Sequence, residues 1–464
     1  MPRHFDFIVN GSGPAGKSAA IQASKLGKSV LMIEKNHQVG GVSVHSGTIP
    51  SKTLRETVLY LTGWRQRGFY GLSYKVKQDI THLDLQHRLS QTLGHEVEIL
   101  EHQLKRNKVT TIIGKARFKD ENTIIVEQMS DQTEVEFSAD KFLIGVGTRP
   151  HRPDHIPFDG ERIIDSDEIL KLKRIPHSLL VVGGGVIGIE YATIYNALDT
   201  EVTVIDDKDD ILDFVDKEII EEFTHHLRDS EVTLRLNEQV ESIHKREDGK
   251  VITRLKSGKQ VCSDTVLFAA GRQGVTDDLQ LENAGLSSDK RGRIKVNSQY
   301  QTEKSHIYAA GDVIGFPSLA STSMEQGRVA ACDAFALDCP VQTHLFPYGI
   351  YSVPEISMVG ITEQQCQQKN IPYEIGTARF RETVRGQIMG LREGKLKMLF
   401  ALEDRRLLGV HIVGEGATEL VHIGQAVIAL GGTLDYFIQS VFNYPTLAEA
   451  YKVAALDAWN RLSV

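Results

Sequence analysis

One unit of strand, glycine turn, helix and strand occurs twice in this chain, at the same internal spacing. The first copy runs FDFIVN (5–10), GSGPAG (11–16), an alanine-rich helical stretch to about Leu26, and SVLMIE (29–34). The second runs SLLVV (178–182), GGGVIG (183–188), a helical stretch to about Leu198, and EVTVID (201–206). From first glycine to terminal acid the interval is 23 residues in both, Gly11 to Glu34 and Gly183 to Asp206. A lone GxGxxG is weak evidence, whereas two complete units at equal spacing point to two dinucleotide sites. Gly11 and Gly183 permit the tight turn, Gly13 and Gly185 let backbone approach a pyrophosphate, and Gly16 and Gly188 let the helix pack close to its strand. The helix N-termini supply free N–H groups and a positive dipole end for phosphate. Glu34, followed by Lys35, and Asp206 stand where a carboxylate accepts hydrogen bonds from ribose hydroxyls.

At 464 residues the chain is long enough for two to four domains. Its 40 glycines against 13 prolines suit an α/β protein with many strand-to-helix turns. A net charge of −8 argues against general affinity for nucleic acid or anionic lipid. The strand-like FDFIVN begins too early to leave room for an export signal, and no apolar run is long enough to span a bilayer, so the expected location is the cytoplasm. Cys262, Cys332, Cys339 and Cys366 form no CxxC pair, and no metal site is expected. Cys332 and Cys339 are expected on one helix, where seven residues span roughly 10 Å, too far for a disulfide. All four are expected to be ordinary thiols.

Between and after the two units lie KFLIGVGTRP (141–150) and DTVLFAAGRQG (264–274), apolar strands ending at Gly147 and Gly271, where chain can cross between domains. HIYAAGDVIG (306–315) then delivers Asp312 at a strand's carboxyl end beside Gly311. Residues 40–52 read GGVSVHSGTIPSK, and the C-terminal part contains PEISMVG (354–360) and FNYPTLAEAY (442–451).

Taken together, these segments resemble the class I flavin-dependent pyridine nucleotide-disulfide oxidoreductases over essentially the whole chain. The resemblance implies two Rossmann-like domains of the glutathione-reductase type plus a C-terminal α+β dimerisation domain. Residues 1–150 and 274–340 would bind FAD, 151–273 the nicotinamide nucleotide, and 341–464 would form the homodimer. It further implies that Asp312 holds the flavin ribityl chain, that Gly41 and Thr48 lie close to the flavin, and that Lys52 and Glu190 pair beside flavin N5. Val186 stands where relatives place a residue that gates nicotinamide entry. The TIPSK and FNYPTLAEAY segments are similar to those of the soluble, Si-specific transhydrogenase branch of that family.

One departure decides the chemistry. Disulfide reductases of the family carry GGxCxxxGCxPSK, and Ser43 and Thr48 stand here at the cysteine positions. Neither hydroxyl can store two electrons, so thiol exchange at this site is excluded. The family's C-terminal His-Pro-Thr-x-x-Glu reads Tyr444, Pro445, Thr446, Leu447, Ala448, Glu449. A phenol, with an ordinary pKa near 10, is a poor acid-base group for thiols. For Tyr444 a packed interface aromatic is as good a reading as a catalytic role alongside Glu449.

After Asp206 the sequence continues Asp207, Lys208, Asp209, Asp210. Each carboxylate about 4 Å from a 2′-phosphate would cost roughly 1 to 4 kcal/mol. NADH is therefore the favoured reductant, although Lys208, or Lys173 and Arg174 upstream, could partly compensate for NADP(H). The first functional expectation is hydride transfer between NAD(H) and NADP(H) through FAD without a disulfide. An NADH-dependent diaphorase or oxidase using quinone, dye or oxygen is a second. A non-catalytic FAD-containing redox sensor is a third, disfavoured by the complete second dinucleotide unit.

Overall fold

A computed structural model describes residues 2–71, 73–339 and 345–462. The chain separates into two compact units, one of Met1–Thr53, Gln86–His151 and Gly271–Val341, the other of Leu54–Leu85, Arg152–Ala270 and Gln342–Val464.

The first unit is built on a six-stranded sheet. Arg3–Asn10 lies between Val30–Glu34 and Glu134–Ile144, parallel to both, and Ile307–Ala309 pairs parallel with the far side of Glu134–Ile144. Two long strands of this sheet change partners and direction of pairing along their length. Thr110–Asp120 pairs parallel with Val30–Glu34 over its first residues and antiparallel with Thr123–Gln128 over its last, while Glu134–Ile144 begins antiparallel and ends parallel. Period-two alternation sends Phe7, Val9, Val30 and Met32 to one core and Ile8, Leu31 and Ile33 to the other. Both faces are thus covered, as a parallel sheet requires. The first face receives two alanine-rich helices, Pro14–Lys25 and Ala320–Ala334. Small side chains let them approach closely: a Cβ on Gly327 would stand 2.0 Å from the Ala15 carbonyl oxygen.

The second unit contains a five-stranded, all-parallel sheet in the order Thr233–Arg235, Glu201–Ile205, Ser178–Val182, Thr265–Phe268, Ile163–Asp165. A three-stranded antiparallel meander, Val240–Lys245, Val251–Leu255 and Gln260–Ser263, adjoins it in sequence. A second five-stranded sheet, antiparallel throughout, runs Tyr348–Ile350, Ile356–Gly360, Leu407–Val413, Lys395–Ala401, Tyr373–Arg379. Helices Ala417–Ala429 and Glu449–Leu462 supply Val421, Tyr451, Ala454 and Ala458 to its core.

A buried ion-pair cluster ties the two sheets of this unit together. Lys397, from the antiparallel sheet, is fully buried with its Nζ 2.9 Å from Asp216, the N-cap of helix Lys217–Asp229, and 3.0 Å from Glu218; it also pairs with Glu363. Burial alone would raise the Asp216 carboxyl, but the charges and donors facing it, Lys397 among them, hold it below the ordinary range. His411 is also fully buried, and desolvation lowers its imidazole.

Lys52 lies in a helix that starts at Thr48, with Pro50 in its first turn, where a missing N–H has no helical partner to lose. One sequence expectation is corrected. Cys332 and Cys339 do not share a helix: Ala320–Ala334 ends between them, Ala336 takes a left-handed φ of 56°, and the chain turns back.

Candidate functional site

In both dinucleotide-type turns the third glycine meets the same constraint. A Cβ on Gly16 would stand 1.9 Å from the Gly11 carbonyl oxygen, and one on Gly188 would stand 1.9 Å from that of Gly183. Gly11, at φ +108°, also lies so close to the neighbouring crossover that a Cβ would meet the Gly145 oxygen at 2.3 Å. Helices Pro14–Lys25 and Val186–Ala197 begin at Gly13 and Gly185 with no side-chain cap, which leaves their first N–H groups for an anion. Beyond Gly185 the space is open, with nothing within 4 Å of a Cβ placed there. These features fit a bound pyrophosphate at each turn.

In the first unit, Glu34 is buried at the end of its strand. Its Oε2 accepts from the Ser12 N–H at 3.1 Å and the Ser12 hydroxyl at 2.5 Å, and its Oε1 accepts from the Asn36 N–H and side-chain amide at 2.8 and 2.9 Å. Ser12 in turn accepts the Gly40 N–H at 2.8 Å, joining the turn to the segment that leads toward Lys52. Lys35 follows Glu34 and is exposed. Gly41, at φ +60°, approaches so closely that a Cβ would stand 2.8 Å from Gly13 Cα.

The residues at the cysteine positions sit in ordinary helical surroundings. Ser43 Oγ donates to the Gly40 carbonyl at 3.1 Å, and Thr48, exposed, opens the helix Thr48–Leu61. Lys52 Nζ donates to Ser51 Oγ at 3.2 Å.

At the far edge of this unit the two crossovers pair with each other, Thr148–Pro150 antiparallel to Arg272–Gly274. Gly147 and Gly271 both take positive φ there, 67° and 101°. Arg272 Nε donates to Thr148 Oγ1 at 2.8 Å, and Thr148 Oγ1 donates to Asp312 Oδ2 at 3.3 Å. Gly311 precedes Asp312 and donates its N–H to the buried Gln326 at 2.8 Å. Desolvation raises the Asp312 carboxyl, opposed by the Arg272 charge and by hydrogen bonds from Thr148 and Ser323. The sequence pointed to Asp312 but not to Thr148, Arg272 or Gln326. The arginine of GRQG, beside Gly271, was the available signal.

In the second unit, Asp206 accepts the Gly184 N–H at 2.5 Å and the Lys208 N–H at 2.9 Å. Lys208 turns away to pair with Asp213 at 2.7 Å, and Lys173 and Arg174 precede the amino end of strand Ser178–Val182, opposite the end that carries the glycine turn. Another cationic residue adjoins Asp206 through its backbone. Arg235 closes the neighbouring strand, its carbonyl accepts the Asp206 N–H at 3.1 Å, and its Nε is buried with no partner among the described residues. Nothing in the local sequence singled it out, because only the parallel pairing with Glu201–Ile205 brings it to this edge.

Val186 is the first residue of its helix, and Glu190, one turn later, is buried. Glu190 Oε1 accepts the Tyr351 N–H at 2.9 Å, and Thr193 Oγ1 accepts that of Val353 at 3.0 Å. Arg55, buried in the helix that also carries Lys52, reaches the same segment: its Nε donates to the Ser352 carbonyl at 3.0 Å and Nη2 lies 3.2 Å from Glu355. Tyr444 is 67% exposed, whereas Glu449 starts helix Glu449–Leu462 with Oε2 buried and unpartnered among the described residues.

Residues 5–327 match the pyridine nucleotide-disulphide oxidoreductase family, and residues 346–455 match its dimerisation domain. The chain belongs to that family. A soluble pyridine nucleotide transhydrogenase from Mycobacterium tuberculosis (strain ATCC 25177 / H37Ra) is 53% identical over 460 residues, 99% of this chain and 98% of the relative. One from Vibrio atlanticus (strain LGP32) is 44% identical over 472 residues, 99% of each. Among solved structures, the HOCl-induced flavoprotein disulfide reductase RclA from Escherichia coli is similar at a TM-score of 0.86 and 26% identity, covering 97% of this chain and 99% of that one. LpdA from Mycobacterium tuberculosis shares the fold at a TM-score of 0.89 and 24% identity, covering 98% and 99%. As a member of the family the chain is an oxidoreductase that uses FAD and a nicotinamide nucleotide. No helix among the described residues is long and apolar enough to cross a membrane.

Proposed function

We propose that this protein is a pyridine nucleotide transhydrogenase, a homodimeric, cytoplasmic flavoprotein that moves hydride between NAD(H) and NADP(H). The observation that carries the reading is the combination at residues 40–52: hydroxyls at Ser43 and Thr48, with the glycine approach of Gly41 to Gly13 and the cation of Lys52 retained. Bound FAD supplies the hydride acceptor and donor at N5. With no sulfur pair in this segment, hydride has one place to enter and the same place to leave. Full-length relatives that bear the transhydrogenase name support the same choice over the diaphorase and sensor readings.

Each residue has an assigned task in this proposal. Gly11, Gly13 and Gly16 with the first helix N-terminus hold the FAD pyrophosphate, and Glu34, with Lys35 beside it, the adenosine ribose. Thr148 and Arg272 orient Asp312 toward the ribityl hydroxyls, and Gly147, Gly271 and Gly311 keep the backbone clear of them. Lys52 and Glu190 are assigned to the hydride position, where the lysine cation would stabilise negative charge on reduced flavin. Gly183, Gly185, Gly188 and Asp206 would hold the nicotinamide nucleotide, whose entry Val186 would gate, and the transfer would be Si-specific. NADH is the preferred donor because Asp206 receives ribose hydroxyls better than phosphate.

NADP(H) still enters, and Arg235 is the cation proposed to meet its 2′-phosphate at the acidic edge. The segment division 1–150, 151–273, 274–340 and 341–464 belongs to the same proposal. Dimerisation through the last segment is supported by the exposed apolar residues Leu430, Val441, Tyr444 and Trp459. Tyr444 is assigned to that interface and Glu449 to a positioning role. An acceptor screen on NADH-reduced protein tests the whole reading: reoxidation by NADP⁺ is expected, and reoxidation by quinone or oxygen alone would replace it with the diaphorase.

A further inference from the structure

The turn after helix Ala320–Ala334 brings together two thiols that lie seven residues apart in sequence. Leu337 donates its N–H back to the Cys332 carbonyl at 2.9 Å, and Ala336 takes the left-handed conformation that reverses the chain. Cys339 consequently returns alongside the helix, and the Cys332 thiol donates to Cys339 Sγ at 3.1 Å. That is only about 1 Å longer than a disulfide bond. The two sulfurs differ in surroundings. Cys332 is fully buried, and desolvation, with the neighbouring Cys339, pushes its thiol up to about 12. Cys339 is partly exposed and accepts a second donor, the Arg328 guanidinium, which is held in place by Glu325. Cys339 Sγ is thus the more accessible sulfur of the two, and it is the one that the Arg328 guanidinium faces.

We propose that Cys339 and Cys332 form a peroxide-sensitive thiol pair, a modification site separate from the hydride site, with Cys339 the attacking sulfur and Cys332 the resolving one. The oxidant is a hydroperoxide. Cys339 Sγ attacks the peroxide O–O bond, which breaks to give a sulfenic acid on Cys339 and water or an alcohol. Cys332 Sγ then attacks that sulfur, forming the S–S bond and releasing water, with the Cys332 proton leaving in the water. Overall the two thiols lose two electrons and two protons, and the peroxide is reduced by two electrons. Reversible pairs of this kind are the sort that persist in reducing compartments, where permanent disulfides are rare. The bond would fasten the end of the helix whose earlier residues Ser323 and Gln326 contact Asp312 and Gly311.

The test uses the FAD-loaded protein in a Cys262→Ser background, which removes the exposed competing thiol. After stoichiometric hydrogen peroxide, denaturation and thiol titration, the free-thiol count should fall by two and return with dithiothreitol, and the intact mass should fall by two hydrogens. Adding Cys332→Ser should instead leave a dimedone-reactive sulfenic acid on Cys339. Adding Cys339→Ser should abolish the loss, and Arg328→Met should slow it severalfold. No loss of thiols, loss of one with gain of oxygen mass, or a disulfide between chains would overturn the proposal.

Discussion

Glu190 Oε1 accepts the backbone N–H of Tyr351 at 2.9 Å, which fixes a buried carboxylate of helix Val186–Ala197 against the residue that follows strand Tyr348–Ile350 of the antiparallel sheet. The contact makes Glu190 separable into a structural acceptor and a charge. Glu190→Gln keeps an oxygen for the Tyr351 N–H and removes the charge proposed to support Lys52. The expected result is a normally folded, FAD-containing protein whose reduction by NADH slows about tenfold or more. Stopped-flow absorbance measures it, and an unchanged rate would remove Glu190 from the hydride site.

Arg235 makes a prediction about cofactor choice. A charge-assisted contact to phosphate is worth about 1.5 to 3 kcal/mol, so Arg235→Leu should raise KM for NADPH about tenfold or more. KM for NADH should barely move, since that nucleotide carries no 2′-phosphate. Steady-state kinetics with each nucleotide separates the two, and equal losses would show that the edge strand had been disturbed instead.

Gly41 tests the flavin approach. Alanine there combines a φ of +60° with a Cβ 2.8 Å from Gly13 Cα. Strain of about 1 to 3 kcal/mol is expected, read as a lower ratio of flavin to protein in purified Gly41→Ala. Full flavin content with unchanged thermal stability would show that the backbone relaxes there without consequence.

The cluster around Lys397 predicts how stability depends on its charges. Lys397→Met leaves the fully buried Asp216 without its cation, and breaking such a pair is destabilising by about 3 to 5 kcal/mol. His411 adds a pH dependence of known sign. Its Nε2 is hydrogen-bonded to the Ile361 carbonyl at 2.9 Å, its Nδ1 is buried without a partner among the described residues, and burial lowers its pKa. Below about pH 6.5 the unfolded chain binds a proton that the fold refuses, so stability falls by up to about 1.4 kcal/mol per pH unit until the folded-state value is reached. Melting temperatures measured from pH 7 downward should therefore drop less steeply in His411→Gln than in the parent.

The parts of this protein legible in the sequence are those in which chemistry is local. The two glycine turns show themselves because each role needs a glycine at a fixed offset, and the structure repeats the Gly16 and Gly188 contacts at the same distance. The missing sulfurs are legible for the same reason. Arg235, Thr148 with Arg272, and Lys397 with Asp216 are not, because strand pairing or packing between distant segments creates those contacts. Cys332 and Cys339 were misread because a helical period was extended past Ala334, where the chain already turns back.

The central claim is that hydride enters and leaves at one place with no sulfur relay. Its most direct measurement is a sequential stopped-flow experiment without oxygen, in which the holoenzyme is mixed with one equivalent of NADH and then with NADP⁺. The account predicts loss of flavin absorbance in the first step without a long-wavelength thiolate charge-transfer band, and full recovery in the second with NADPH formed in equal amount. A charge-transfer band, or reduced protein that NADP⁺ leaves bleached while quinone restores its colour, would contradict it.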